Sequence, residues 1–105
     1  MELAVAEFRA RTAYELDSAM RIERASFAAK MRVARAVLGL SQEEFARQIG
    51  LTQKSVHRIE QGAVQPKVRT IVAIQQCWIR QGISFENLRG GGFRLIVEGS
   101  TLLND

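Results

Sequence analysis

Residues 41–62, reading SQEEFARQIGLTQKSVHRIEQG, leave a chain few ways to fold. Ser41 is a good helix N-cap, and Glu44 three positions on completes an S-x-x-E capping box. Phe45, Ala46 and Ile49 then fall on one helical face. Gly50 ends that helix, because glycine enters the left-handed backbone region without steric cost. Leu51 is placed to fill the gap beyond it, and Thr52 caps a second helix whose inward residues are Val56 and Ile59. Gly62 stops the second helix. Two short helices at this spacing, joined by a tight turn, form a helix-turn-helix. The outward side of the second carries Gln53, Lys54, His57, Arg58 and Gln61, with no acid among them. A helix with an apolar back and long hydrogen-bonding side chains in front suits a DNA major groove.

The charge distribution agrees. The chain has 105 residues and a net charge of +4. Residues 27–82 hold nine basic residues against three acidic, a net +6, while the flanks on either side are each −1. Positive charge is therefore concentrated where phosphate contact needs it. On charge alone, a solvated basic surface is the simpler reading.

Over residues 27–88 the sequence resembles the Cro/Xre-type helix-turn-helix family of phage and bacterial repressors. The resemblance is carried by GLSQEEFA at 39–46, by IGLTQKSVHRIEQG at 49–62, and by Pro66 followed by Thr70 and Ile71. It implies an all-α fold, a five-helix repressor-like bundle. To this the chain adds an extra N-terminal helix at 1–26, and at 89–105 a glycine-rich turn, a short β-strand and a tail. In the resembled family the positions of Gln53, Lys54 and Arg58 meet base edges, and glutamine suits adenine as lysine or arginine suits guanine. The counterpart of Gln42 braces the first recognition residue and reaches a phosphate. Family members also pair an arginine at the place of Arg35 with a glutamate at the place of Glu60, a structural ion pair that fixes the first helix against the recognition helix. Thr52 and Ser55, at the start of the second helix, belong to the DNA-facing set. His57 is either a flank contact or a solvent-exposed histidine. Arg32, Lys67 and Arg69 are expected phosphate ligands.

Residues 2–26 contain neither glycine nor proline and read as one helix, with Phe8, Leu16 and Met20 on a stripe around Thr12. That stripe is thin for a core helix. The segment either packs across the domain or serves as a dimerisation or partner-binding helix. The first helix of the bundle follows at 27–40, with Phe27, Met31, Ala34 and Leu38 inward. After the recognition helix, Pro66 suits a first helical turn, and a helix to Gln81 offers Val68, Ile71, Val72, Ile74, Cys77 and Trp78 as apolar surface. Family members often place a serine cap after this proline; here Lys67 stands there, so that cap is not expected. Ser84 should cap a last short helical turn, SFENL. The triplet Gly90, Gly91 and Gly92 lacks the following Lys-Ser/Thr of a phosphate cradle and reads as a hinge or tight turn. FRLIVE at 93–98 alternates at strand period, and its simplest mate is its copy in a second subunit. The tail GSTLLND is expected to fray.

One cysteine rules out an internal disulfide, and Cys77 reads as a small buried hydrophobe. There is no pair of acids at catalytic spacing, no nucleophile with a histidine and no cofactor motif. No enzyme activity, cofactor or metal is expected. Neither a membrane helix nor a signal-peptide apolar block is present, and a cytoplasmic location is expected. The expected partners are double-stranded DNA and a second copy of the chain, the working reading being a sequence-specific repressor. The alternative is an antitoxin or protein-interaction module, with a protein partner held by the N-terminal helix or the C-terminal strand.

Overall fold

The computed structural model describes the backbone of residues 2–103 and side chains from Thr12 onward. Its first element is a single helix, α1 (Glu2–Leu38), of 37 residues. The sequence reading placed a boundary at residues 26 and 27; the helix crosses it without a break. Nothing in the sequence from 2 to 38 stops a helix, and Ser26 and Ala28 on either side of Phe27 are both buried. Gly39, with φ +68, ends it. The outer turns are another matter, since Tyr14, Leu16 and Met20 are all more than half exposed. Phe8 lies outside the described side chains.

The helices α2 (Gln42–Ile49), α3 (Gln53–Glu60) and α4 (Val68–Arg80) pack on the inner half of α1. Met31 and Ala34 from α1, Phe45 and Ala46 from α2, Val56 and Ile59 from α3, and Ile74, Cys77 and Trp78 from α4 share one core. Phe27 and Leu38 are only half-buried at its margin. Complete burial of an aliphatic or aromatic side chain contributes roughly 1.5–3 kcal/mol, so this small core is the main source of stability. On α4 the structure corrects the apolar list. Ile71 is half-buried, while Val68 and Val72 are exposed. Pro66 precedes the helix rather than opening it, and Lys67 at the N-cap makes no side-chain cap bond.

The C-terminal third departs most from expectation. Residues 84–88 are not a helical turn: β1 (Ile83–Asn87) pairs antiparallel with β2 (Phe93–Val97), Ile83 opposite Val97 and Phe85 opposite Leu95. The strand's mate is thus within the chain, and the fold is helical with a small sheet rather than all-α. The reason is local. Ile83 is buried and Phe85 half-buried while Ser84 and Glu86 are exposed, a two-residue period. A hairpin also closes over a far shorter loop than any contact with a second chain. The turn Arg89–Gly91 makes that loop, with Gly90 and Gly91 at φ +72 and +84. An aromatic series then ties the sheet to the bundle. Phe27 lies 5.7 Å from Trp78, Trp78 lies 5.2 Å from Phe85, and Phe85 lies 5.2 Å from Phe93, ring centre to ring centre. Lys30 reaches over the last two rings and donates to Asn87 Oδ1.

The tail is ordered as well, as α5 (Gly99–Leu103); Asn104 and Asp105 lie outside the described residues. Thr101 Oγ1 donates to the carbonyl of Gln81 at 2.7 Å, holding α5 against the end of α4. Gly82 makes the approach possible, since a Cβ there would come within 1.9 Å of Thr101 Oγ1. Among the described residues no helix is long and apolar enough to cross a membrane. Gly82→Ala is expected to destabilise by about 2–3 kcal/mol, from a left-handed alanine plus the displaced Thr101 bond. Urea unfolding should show a lower midpoint at an unchanged slope; an unchanged midpoint would contradict the packing described.

Candidate nucleic-acid interface

The helix-turn-helix forms by the local rules its sequence spells. Ser41 Oγ accepts from Glu44 N–H, and the Glu44 carboxylate accepts from Ser41 N–H, both at 3.0 Å. Gly50 takes the left-handed C-cap at φ 71. Leu51 is half-buried against the core, and Thr52 Oγ1 accepts from Ser55 N–H at 3.1 Å to open α3. Val56 and Ile59 face in. Gln53, Lys54, His57, Arg58 and Gln61 are all exposed.

Behind that exposed edge lies one hydrogen-bonded network. Glu60 is only 3% exposed, and its carboxylate takes Arg35 in a two-pronged pair, Nε to Oε2 at 2.9 Å and Nη2 to Oε1 at 3.0 Å. The pairing raises the Arg35 pKa above its ordinary value, chiefly through the hydrogen bond to Glu60, with burial opposing. Arg35 also donates to the carbonyl of Leu40, where α1 turns into α2. Gln42 Nε2 donates to Glu60 Oε1 at 3.0 Å and lies 3.4 Å from His57 Nδ1, while its Oε1 accepts from Gln53 Nε2 at 2.6 Å. One hydrogen of the Gln42 amide and its oxygen are thereby engaged, with the His57 ring beside the nitrogen. Gln53 has one amide hydrogen committed, and its second hydrogen and its oxygen face solvent. That is the donor–acceptor pair that matches an adenine edge.

The remaining residues form two groups on either side of α3. Ser55, Arg58, Lys67 and Arg69 line one cleft of about 350 Å³ with no acidic neighbour. The Ser55 hydroxyl is turned toward Thr52, whose Oγ1 donates to it at 3.0 Å. Arg32 stands on the opposite side, donating from Nη1 to the carbonyl of Glu60 at the end of α3. Lys54 projects alone. Arg21 and Arg24 line a second cleft with Arg32. The sequence reading did not single them out, because a break at residue 26 hides the stripe Arg21, Ala25, Ala28, Arg32 that a continuous helix makes at four-, three- and four-residue steps.

Residues 26–76 match the family model of a helix-turn-helix domain. This region is a helix-turn-helix domain. The match is consistent with the Cro/Xre type that the motifs at 39–46 and 49–62 resemble. Domains of this family point to a DNA-binding regulator. Behind the helix-turn-helix, Cys77 of α4 backs α2, its Sγ 3.3 Å from Gln48 Oε1, and burial pushes its thiol pKa up. It is a core group, as the sequence indicated.

Two outcomes test this geometry. Removing one partner of the ion pair leaves the other uncompensated, and the more buried Glu60 suffers most. Arg35→Met should therefore destabilise by roughly 3 kcal/mol, more than Glu60→Gln does; equal and negligible shifts in unfolding midpoint would refute the pair's role. The second concerns pH. The Glu44 pKa is held below 4.5, mainly by the N–H of Ser41. A lowered folded value means that the cap's contribution is complete above about pH 4.5 and is lost as pH falls through the folded value. Carboxyl NMR titration should place Glu44 on the acid side of an unstructured glutamate, and a normal or raised value would contradict the capping box.

Proposed function

We propose that the protein is a sequence-specific transcriptional regulator that inserts α3 into the DNA major groove. The observation that carries this reading is the exposed, acid-free edge of α3, with its leading residue Gln53 held by Gln42 and, through it, by the buried Arg35–Glu60 pair. Gln53, Lys54 and Arg58 read bases. Lys67 and Arg69, in one cleft with Arg58, take phosphates on one flank, and Arg32 takes them on the other. Free amides at the start of α2 and α3, near Gln42 and Gln53, suit phosphate oxygens. Phosphate contacts supply affinity and register, and base contacts supply choice of sequence.

One helix of this length is too little for selective binding at cellular salt. A two-fold dimer reading half-sites about 34 Å apart, one turn of duplex, meets that need. Bound across a promoter, such a dimer represses by excluding polymerase, and a cytoplasmic location follows from that role.

A second reading rests on a specific feature. Leu16, Ala19 and Met20 of α1 line a largely apolar groove of about 430 Å³ with Phe27, Pro66 and Ile71. In an antitoxin-like protein that surface would seat a partner. Light scattering separates the two readings: a stable homodimer favours the repressor, and a monomer that needs a partner for stability favours the interaction module.

A gel shift over a random-site library at two salt concentrations tests the primary reading, yielding half-site, spacing and salt slope together. Gln53→Ala or Arg58→Ala should cost roughly 1–3 kcal/mol on the selected site and relax base preference. Lys67→Ala should weaken selected and random DNA alike. Equal losses from Gln53→Ala on both kinds of DNA would overturn base reading by α3.

A further inference from the structure

The continuous α1 places three arginines around one cleft at the far end of the recognition helix. Arg21, Arg24 and Arg32 line it, Ala25 and Ala28 of α1 line it between them, and Gln61 and Gly62 form its opposite wall. The cleft holds about 280 Å³ and no carboxylate lines it. Of the nearby acids, Glu23 lines the neighbouring groove, which Arg24 also lines, and the other two are engaged. The Glu60 carboxylate is taken by Arg35 and Gln42, and Asp17 pairs with Arg21 in an exposed bond of 2.6 Å. Among the described residues Arg24 has no acidic partner. The alanines matter as much as the charges, because two methyl groups leave a backbone-sized oxyanion room to come between the guanidinium groups.

We infer that this cleft is a second phosphate-binding site, which grips the DNA backbone beyond the bases that α3 reads. The inference rests on the proposed DNA-binding function and extends it to a segment outside the helix-turn-helix. Arg21 and Arg32 are eleven residues apart, about 16 Å along the helix. The site therefore spans more than one phosphate. Guanidinium groups suit it, since each presents a planar fork of donors that matches phosphate oxygens. Arg32 is anchored by the Glu60 carbonyl, which fixes the cleft relative to α3. Arg21 exchanges Asp17, an exposed partner of small value, for a phosphate.

The test uses the full chain and the duplex selected from a random-sequence library, in two lengths: cut flush with the selected site, and extended by about one helical turn on each side. The double variant Arg21→Gln with Arg24→Gln keeps long, helix-compatible side chains at one exposed and one half-buried position, and circular dichroism checks that it folds. The expected result is unchanged affinity on the short duplex and about tenfold weaker binding on the long one. The salt slope on the long duplex should fall by roughly 2 per bound subunit. Asp17→Asn, which releases Arg21, should tighten the long duplex more than the short. Phosphate-ethylation interference should show flanking phosphates that matter to the parent protein and not to the double variant.

Identical affinities for parent and double variant on the long duplex would overturn the inference. So would equal losses on both lengths, which would place the contacts inside the core site. Gln53→Ala, run in parallel, keeps the two ideas apart. If it weakens both duplexes while the arginine variant does nothing, α3 reads DNA and the cleft does not. If it has no effect on either duplex, the primary reading fails first.

Discussion

A carboxylate buried to the extent of Glu60 is unfavourable unless nearly all its acceptor capacity is met, and the manner of meeting it organises this protein. Arg35 supplies two hydrogen bonds and the opposite charge, and Gln42 supplies a third bond. Each donor comes from a different element, so satisfying one side chain fixes α1, α2 and α3 against one another. Removal of any member strands a charge or a polar group in a poorly solvated place, a far larger penalty than losing a surface ion pair such as Glu86–Arg94. The same atoms then continue outward. Gln42 is bonded to both Glu60 and Gln53 and lies beside His57, which makes it a strut between α2 and α3.

The hairpin is bound to this body by different physics. Among the described residues no ion pair or long-range backbone ladder joins β1 and β2 to the helices. A series of tilted and edge-to-face rings from Phe27 through Trp78 and Phe85 to Phe93 makes the connection, with the Lys30 ammonium over its outer end. Edge-to-face pairs of this kind contribute about 0.5–1.5 kcal/mol each beyond their buried area. Gly91 brings the hairpin turn close to α1 as well, since a Cβ there would lie 2.2 Å from Ile22 Cγ2. The helix-turn-helix and the C-terminal segments therefore form one packed unit.

What the sequence discloses follows the range of the forces involved. The capping box at Ser41 and Glu44, the left-handed Gly50, the Thr52 cap and the inward Val56 and Ile59 are decided within a few residues, and all are legible. The Arg35–Glu60 pair spans 25 positions, and only the resemblance to known repressors disclosed it. The segment 84–88 was misread because Ser84 is a plausible cap, and its strand period becomes decisive only when β2 lies beside it. A similar cause hid α5, whose docking depends on Thr101 reaching Gln81. The helix break read at residue 26 was an error of another kind: a family pattern that begins at 27 does not interrupt a helix, and neither glycine nor proline is present to do so. The exposed face of α3 was legible as chemistry, but the division of its flanking arginines and lysines between two clefts needed the folded chain.

One mechanical property follows from that uninterrupted first helix. Its outer turns stand in solvent, its inner turns carry Arg35, and no flexible joint separates the two. A tilt of the outer turns is therefore shared among the hairpin turn at Ile22, the ring of Trp78 at Phe27 and the guanidinium that holds Glu60. From there the strut of Gln42 passes it to the orientation of Gln53. The helix is in effect a lever whose fulcrum is the core and whose short arm bears on α3.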